Sequence, residues 1–257
     1  MKLTKRNYFS RKANKEFMSV SQFKSFERCP NAALAEINGK YEREKTTSLL
    51  VGSYVDSYFE GTLKRFIREN PEIFKKDGTL KAEYIQAEAI IQRILRDKLF
   101  MEHLSGEKQV IMTGTICGVP VKIKMDSYHP GKQIDDLKIV KDFLPIYDEE
   151  RGKLPWWEYW NYDIQGAVYQ EVVRQNTGDR LPFFLDAATK EKITGIDILE
   201  IEQKHLDYAM DRFKRDLEMY DAMKKGIIEP DRCGSCDYCK ISKVLTEPTK
   251  SSEFYLL

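Results

Sequence analysis

The sequence lacks the long apolar run that a membrane span requires. No segment approaches the ~20 apolar residues needed to cross a bilayer, and the basic N-terminal stretch has no apolar core of the kind found in secretory signals. The sequence also lacks a Gly-x-x-x-x-Gly-Lys phosphate loop, which argues against an ATP motor. It contains neither an internal repeat nor a low-complexity segment. We therefore expect a cytoplasmic globular protein without a membrane partner.

Histidine is scarce and the charge is almost balanced. The three histidines, at 103, 129 and 205, form no pattern in the sequence. The net charge is +1, from 42 basic and 41 acidic residues, which is less basic than most general nucleic-acid binders. An enzyme with a local basic groove remains compatible, because an acidic metal site would offset the groove in the total. We predict a basic N-terminal arm over residues 1–17 and a single domain over residues 18–257.

The order of the predicted elements indicates an α/β fold. Apolar periodicity and capping residues predict helices, whereas alternation between turn residues predicts strands. The predicted helices are a segment that begins at Ser19 and residues 48–70, 81–101, 161–176 and 203–226. The predicted strands form a meander over residues 109–140 and continue at 181–188 and 196–201. This order predicts a mixed β-sheet core flanked by helices.

Two adjacent strands of the meander carry carboxylates and a lysine. Asp126 ends one predicted strand, and Asp136 and Lys138 lie on one face of the next, because residues two apart in a strand share a face. A carboxylate pair, with the backbone carbonyl of Leu137, suits Mg²⁺ or Mn²⁺. Such an ion with a nearby lysine can hydrolyse phosphodiesters. Taken alone, the pattern also fits a solvated strand face with a surface ion pair.

Two further motifs strengthen the hydrolytic interpretation. The stretch from Gly114 to Lys138 resembles the core of PD-(D/E)XK nucleases, with Asp136-Leu137-Lys138 as the (D/E)XK triplet and Asp126 as the preceding acid. Downstream, Gln165 and Tyr169 resemble the Gln-x-x-x-Tyr signature of the RecB-type branch, and their spacing places both on one helical face. The resemblance implies catalytic roles for Asp126, Asp136, Lys138, Gln165 and Tyr169.

The resemblance extends upstream with one departure. RecB-type enzymes carry a Gly-x-x-x-His pattern, and here Gly52 is followed by Asp56 where histidine is common. An aspartate can still bind a divalent metal, so the resemblance implies Asp56 as a third ligand for Mg²⁺, with Glu60 one turn further on as a substitute.

The closest resemblance is to RecE-like phage exonucleases. It implies a DNA exonuclease that hydrolyses one strand at duplex DNA ends, 5′ to 3′, beside a single-strand annealing recombinase in phage-type recombination. It also implies a homo-oligomer. Two alternatives share these motifs: an endonuclease or CRISPR-adaptation-like end trimmer, and an inactive cysteine-ligated DNA-binding module.

Four of the five cysteines form a possible metal site. Cys233, Cys236 and Cys239 are separated by two residues each, and Cys29 precedes Pro30 far upstream. Such close spacing in a cytosolic chain favours metal ligation over disulfides. Four thiolates suffice for an iron–sulfur cluster or Zn²⁺, and similar nucleases hold a [4Fe–4S] cluster. The sequence therefore places the cluster ahead of zinc, with free thiols as the alternative, and leaves Cys117 outside the site.

An aromatic segment and a lysine are candidates for DNA contact. Trp156 and Trp157 could stack on unpaired bases, or they could pack on the domain or on a partner subunit. Lys141 could contact a phosphate.

Overall fold

The computed structural model of the chain describes residues 1–248 and Ser251. It divides into two compact units. Unit 1 comprises residues 1–43, 115–121 and 214–257, and unit 2 comprises residues 44–114 and 122–213. Across the described residues, no helix is both long and apolar enough to cross a membrane.

Unit 2 is built on a mixed sheet of five strands in the order β1-β2-β3-β6-β7. Strand β3 pairs antiparallel with β2 and parallel with β6, and β6 pairs antiparallel with β7. The sheet strands are β1 (Glu107–Ile116), β2 (Val119–His129), β3 (Gln133–Val140), β6 (Phe183–Thr189) and β7 (Ile196–Glu200). The mixed α/β sheet confirms the predicted fold class, and the meander lies where alternation placed it.

A small hairpin and several helices complete unit 2. The two-stranded hairpin consists of β4 (Ile146–Asp148) and β5 (Gly152–Leu154), which the sequence analysis missed because each strand has only three residues. The helices are α4 (Thr47–Phe59), α5 (Leu63–Glu69), a 3-10 turn (Pro71–Ile73), α6 (Ala82–Leu95), α7 (Lys98–His103), α8 (Trp156–Tyr159) and α9 (Tyr162–Thr177). Side chains of α4, α6 and α7 form one apolar core with Leu137 and Ala188 of the sheet.

Two helices that were predicted as continuous are broken. The prediction over 48–70 is interrupted at Gly61, whose φ of +73° is a left-handed conformation that favours glycine. The prediction over 81–101 is interrupted before α7, because the Asp97 side chain caps the new helix through the Phe100 amide at 3.0 Å. This second break allows His103, the last residue of α7, to turn toward the sheet.

Unit 1 contains the chain ends and the tip of the β1–β2 hairpin. Its helices are α1 (Arg11–Glu16), α2 (Val20–Arg28), α3 (Pro30–Asn38), the C-terminal part of α10 (Gln203–Lys224) and α11 (Asp237–Ile241). The arm predicted over residues 1–17 contains α1 and the buried side chains of Tyr8, Ala13 and Phe17. These residues therefore take part in packing, and the predicted domain boundary at residues 17 and 18 stays a prediction.

Candidate active site

Two acidic side chains meet where β2 and β3 separate. The strands pair over three residue pairs that end at Ser127↔Asp135. Asp126 and Asp136 follow directly after that pair, on the same face of the sheet, because paired residues of antiparallel strands share a face. The geometry thus brings together the two acids that the sequence analysis singled out.

Asp136 is held by two side chains from the same set of candidates. Its carboxylate forms an ion pair with Lys138 through Oδ2, and Gln165 Nε2 donates a hydrogen bond to Oδ1 at 2.5 Å. The Lys138 ammonium also lies 4.9 Å from the centre of the Tyr162 ring, within cation–π range. Asp136 is 2% exposed, so these contacts replace most of its water. Tyr162 was not singled out from the sequence.

Asp126 is positioned by a residue in an unusual backbone conformation. Gln109 on β1 donates from Nε2 to Asp126 Oδ1 at 3.1 Å. Gln109 is buried and has a φ of +57°, which is uncommon for a residue other than glycine. Such strain is characteristic of functional sites. Sequence reasoning missed Gln109, because nothing in the alternating pattern marks a left-handed residue inside a strand.

Asp56 on α4 completes the acidic group. Its Oδ1 atom is buried and has no hydrogen-bond partner among the residues that the structure describes. Burial raises the pKa of Asp56 well above its ordinary value, and the charge of Asp126 adds to the rise. An orphaned carboxylate oxygen beside other acids is what a site for a divalent cation requires. Glu60, the substitute ligand, lies at the C-terminal cap of the same helix.

The electrostatics of the group fit a cation as well. Burial raises the pKa of the Asp126 carboxyl to about 7, and the charge of Asp136 contributes. Burial lowers the pKa of Lys138, but the charge of Asp136 opposes this effect and the net pKa is raised. Lys138 is therefore protonated at neutral pH. Lys138 and, to a smaller extent, Lys124 lower the pKa of Asp126, whereas Glu60 adds a further negative charge to the group. Asp126 and Asp56 nevertheless keep raised pKa values, which an oxygen-preferring divalent ion would counteract.

Gly166 allows helix α9 to pack closely on the sheet, and this brings the neighbouring Gln165 within reach of Asp136. A Cβ at Gly166 would lie only 2.4 Å from Phe183 and 2.8 Å from Leu206, so only glycine permits this approach. Glycine inside a helix costs about 1 kcal/mol relative to alanine, and the close packing offsets that cost. Tyr169 lies on the same helix, and its hydroxyl donates to the Lys124 carbonyl at 3.0 Å. Tyr169 thus anchors β2 two residues before Asp126.

A cavity of about 810 Å³ opens beside these residues. Its lining includes Asp56, Leu137 and Lys138 together with Lys141 and Trp160. The Lys141 side chain is 94% exposed, which leaves it open to a phosphate. The side chain of Leu137 itself packs into the apolar core of unit 2.

The tryptophans of residues 156–160 differ in their exposure. Trp156 is 7% exposed, and its ring packs 5.7 Å from Phe143. Trp157 packs 5.0 Å from the His205 ring. Trp160 is 50% exposed at the cavity. The burial of Trp156 favours the packing alternative for that residue, whereas Trp160 is half-exposed. DNA contact by this segment stays a prediction.

The four predicted cysteines also converge, in unit 1. Cys29 Sγ lies 3.6 Å from Cys239 Sγ, and Cys233 Sγ lies 3.9 Å from Cys239 Sγ. All four sulfurs, including that of Cys236, lie within 4.8 Å of one another. Cys117 stands apart in the β1–β2 turn, exposed and with a φ of +47°.

Backbone amides support this sulfur group. The Cys236 amide donates to Cys233 Sγ at 3.3 Å, and the Cys239 amide donates to Cys236 Sγ at 3.4 Å. The first of these hydrogen bonds lowers the pKa of Cys233 to about 6, whereas burial raises the pKa of Cys236 to about 12. Amides directed at sulfur stabilise thiolates, the form that binds metal.

Comparison with known proteins places the chain in a family. The profile of the PDDEXK-like domain of unknown function (DUF3799) matches residues 19–242, and the chain belongs to this family, within the PD-(D/E)XK nuclease superfamily. A protein from Eubacterium rectale, whose crystal structure bears the name "Putative exonuclease", is similar to it: identity is 48%, the match covers 99% of this chain and 98% of that chain, and the TM-score is 0.96. No curated protein matches the chain. Family and structural likeness together support a nuclease.

Proposed function

We propose that this chain is a divalent-metal-dependent exonuclease that hydrolyses one strand at duplex DNA ends. The observation that carries the proposal is the grouping of Asp56, Asp126 and Asp136 with Lys138, of which Asp56 and Lys138 line one cavity. The resemblance to RecE-like enzymes supports 5′-to-3′ polarity, a single-strand annealing partner, a role in phage-type recombination and assembly into a homo-oligomer.

The three carboxylates would hold Mg²⁺ or Mn²⁺, with the Leu137 carbonyl as a further oxygen ligand. When bound, such an ion lowers the pKa of a water and neutralises charge on the scissile phosphate. Gln165 fixes the orientation of Asp136 through its hydrogen bond. Gln165 therefore orients the Asp136 carboxylate as an oxygen ligand before DNA binds.

Lys138 acts as a fixed cation in this proposal. Its pKa is raised, so it keeps its proton at neutral pH and does not serve as a general base. An ammonium held by Asp136 at the cavity can stabilise the negative charge that develops on a phosphate in the transition state. Lys141 at the cavity edge would contact a neighbouring phosphate of the DNA backbone.

The test of function is digestion of linear duplex DNA labelled at its 5′ or 3′ ends. We expect Mg²⁺-dependent release of nucleotides from 5′ ends and no cleavage of covalently closed circular duplex. Release from 3′ ends would reverse the polarity, and cleavage of the circle would indicate an endonuclease. No digestion with either metal would favour an inactive DNA-binding module and would implicate Asp56, which replaces the histidine of similar enzymes.

Exposed aromatic rings at the cavity suggest how a strand end is engaged. Trp160 is 50% exposed and Tyr147 is 73% exposed, and both line the cavity. Stacking of a base on such a ring contributes about 1–3 kcal/mol. We expect Trp160→Ala to raise KM for DNA about 5- to 150-fold, as that energy implies, while kcat changes less. Tyr208→Ala, at an aromatic residue that is 62% exposed on α10, is the matched control. An unchanged KM in Trp160→Ala would exclude stacking there.

We further propose that the cysteine group holds a single Zn²⁺. Zn–S bonds of about 2.3 Å in a tetrahedron place the sulfurs about 3.8 Å apart. Two of the separations here are 3.6 and 3.9 Å, and all lie within 4.8 Å, which agrees with that spacing. A [4Fe–4S] cube places iron and sulfide between its thiolates, and therefore needs wider spacing. This geometry supports Zn²⁺ over a [4Fe–4S] cluster, whereas the sequence favours the cluster over Zn²⁺.

A further inference from the structure

A second group of buried acids lies on the opposite face of the sheet from the proposed catalytic site. Asp135 and Asp186 are both 0% exposed and belong to the paired strands β3 and β6. Because side chains alternate along a strand, Asp135 points to the other face from Asp136. His103 at the end of α7 reaches both acids: its Nδ1 lies 2.6 Å from Asp135 Oδ1 and 3.3 Å from Asp186 Oδ1.

The available hydrogens are too few for these carboxylates. His103 Nδ1 carries at most one hydrogen, and Asp135 Oδ1 is its nearer acceptor. Gln133 Nε2 donates to that same oxygen at 2.8 Å. His129 Nε2 lies 3.5 Å from Asp135 Oδ2, but the His103 carbonyl is closer, at 2.9 Å. Within the described part of the chain, Asp135 Oδ2 and both carboxylate oxygens of Asp186 are buried without a hydrogen bond.

Buried carboxylates are costly unless positive charge compensates them, and His103 can supply at most one positive charge to the two carboxylates that it contacts. His103 offers a ring nitrogen, and Asp135 and Asp186 each offer a carboxylate oxygen. These three atoms lie within 4.8 Å of one another, so one ion could contact all three. An imidazole nitrogen with two carboxylate oxygens suits divalent transition metals. Mg²⁺ and Ca²⁺ prefer oxygen ligands alone.

The surrounding backbone is packed to hold His103 in place. Ser127 Oγ donates to the His103 carbonyl at 2.7 Å and accepts from the Gly106 amide at 3.0 Å. A Cβ at Gly106 would lie 2.6 Å from that Ser127 oxygen, so the approach requires glycine. The side chains of His103 and His129 are 12% and 18% exposed, so both rings keep some contact with solvent.

We propose that His103, Asp135 and Asp186 bind one divalent transition-metal ion, Mn²⁺ or Zn²⁺, at a site separate from the proposed catalytic acids. The ion ties α7 to β3 and β6 directly behind Asp136. Its role is structural, and its binding does not depend on the proposed nuclease activity.

The first test counts bound Mn²⁺ by elemental analysis after equilibrium dialysis of the full-length protein. Mn²⁺ is the probe because a thiolate group disfavours it relative to Zn²⁺. In an Asp136→Asn background, which weakens the other site, adding His103→Ala or Asp186→Asn is expected to remove one equivalent of Mn²⁺. His205→Ala, which removes a histidine outside the group, is expected to remove none. An unchanged Mn²⁺ content in the Asp186→Asn protein overturns the site.

The second test measures the Tm with and without Mn²⁺, which also shows whether each variant is folded. Asp186→Asn keeps the side-chain volume and removes one of two adjacent buried carboxylates. Without added metal, we expect its Tm to equal or exceed that of the unsubstituted protein. Added Mn²⁺ is expected to raise the Tm of the Asp136→Asn background and not that of the same background with Asp186→Asn. An equal Mn²⁺-induced rise in both overturns the proposal, whether or not the protein digests DNA.

Discussion

Asp136→Asn is expected to lower the rate of DNA digestion by about 10³-fold or more, the scale on which loss of one transition-state electrostatic group acts. The substitution preserves shape and the space for Gln165, but removes the charge that would bind the metal and that holds Lys138. The measurement is the single-turnover rate at which labelled nucleotides are released from end-labelled duplex DNA in the presence of Mg²⁺. DNA binding and the far-ultraviolet circular dichroism spectrum should persist.

Two further variants test whether the loss of activity in Asp136→Asn is specific to the proposed site. Asp197→Asn changes an exposed aspartate on β7 of the same sheet and should digest DNA at the unsubstituted rate. Lys138→Gln should lose activity on a similar scale and still bind Mg²⁺, because it removes the cation and leaves the three carboxylates. Digestion by Asp136→Asn at the rate of the Asp197→Asn control would remove the proposed site altogether.

Cys239→Ser is expected to remove the bound metal of unit 1 and to destabilise the protein. Cys239 is 2% exposed, and its sulfur lies 3.6 Å from that of Cys29 and 3.9 Å from that of Cys233. A thiolate-bound Zn²⁺ can contribute about 10–16 kcal/mol of apparent binding free energy. Losing even about 3 kcal/mol of it would lower the Tm by about 6–12 °C for a chain of this size.

The measurement is elemental analysis of protein purified anaerobically, followed by thermal denaturation. We expect at least one Zn²⁺ per chain, little iron, and loss of one equivalent of zinc in Cys239→Ser. Cys117→Ser is the matched control, because this exposed cysteine lies outside the group, and its zinc content and Tm should not change. Iron with acid-labile sulfide would support the cluster instead, and absence of any metal would contradict ligation by these cysteines.

The parts of the fold that were predictable are those in which a local pattern determines the structure. Alternation over the meander located β1, β2 and β3, and the two-residue spacing of Asp136 and Lys138 correctly placed them on one face. The Gln165 position followed from the motif. For the strands and for the Asp136–Lys138 pair, neighbouring residues in the sequence carry the signal, whereas Gln165 was placed by the resemblance to a family signature downstream of the triplet.

The unpredicted parts depend on contacts between distant residues. Gln109 supports Asp126 through a left-handed backbone that no periodicity reveals. The three histidines form no sequence pattern, yet two of them meet at Asp135, because a helix break at Asp97 and pairing of β2 with β3 bring them together. The burial of Trp156 depends on Phe143, which lies in a loop that the sequence analysis left undescribed.

The alternation along β3 makes this strand intolerant of changes in length. Asp135 and Asp136 are adjacent, and each faces a different set of partners on its own side of the sheet. Inserting or deleting one residue in the tight turn before Gln133 could shift the strand by one register position and turn both acids to the wrong side. Among relatives of this chain, we therefore expect substitutions along β3 but a constant number of residues between His129 and Lys138, with insertions confined to connections such as the one between β4 and β5.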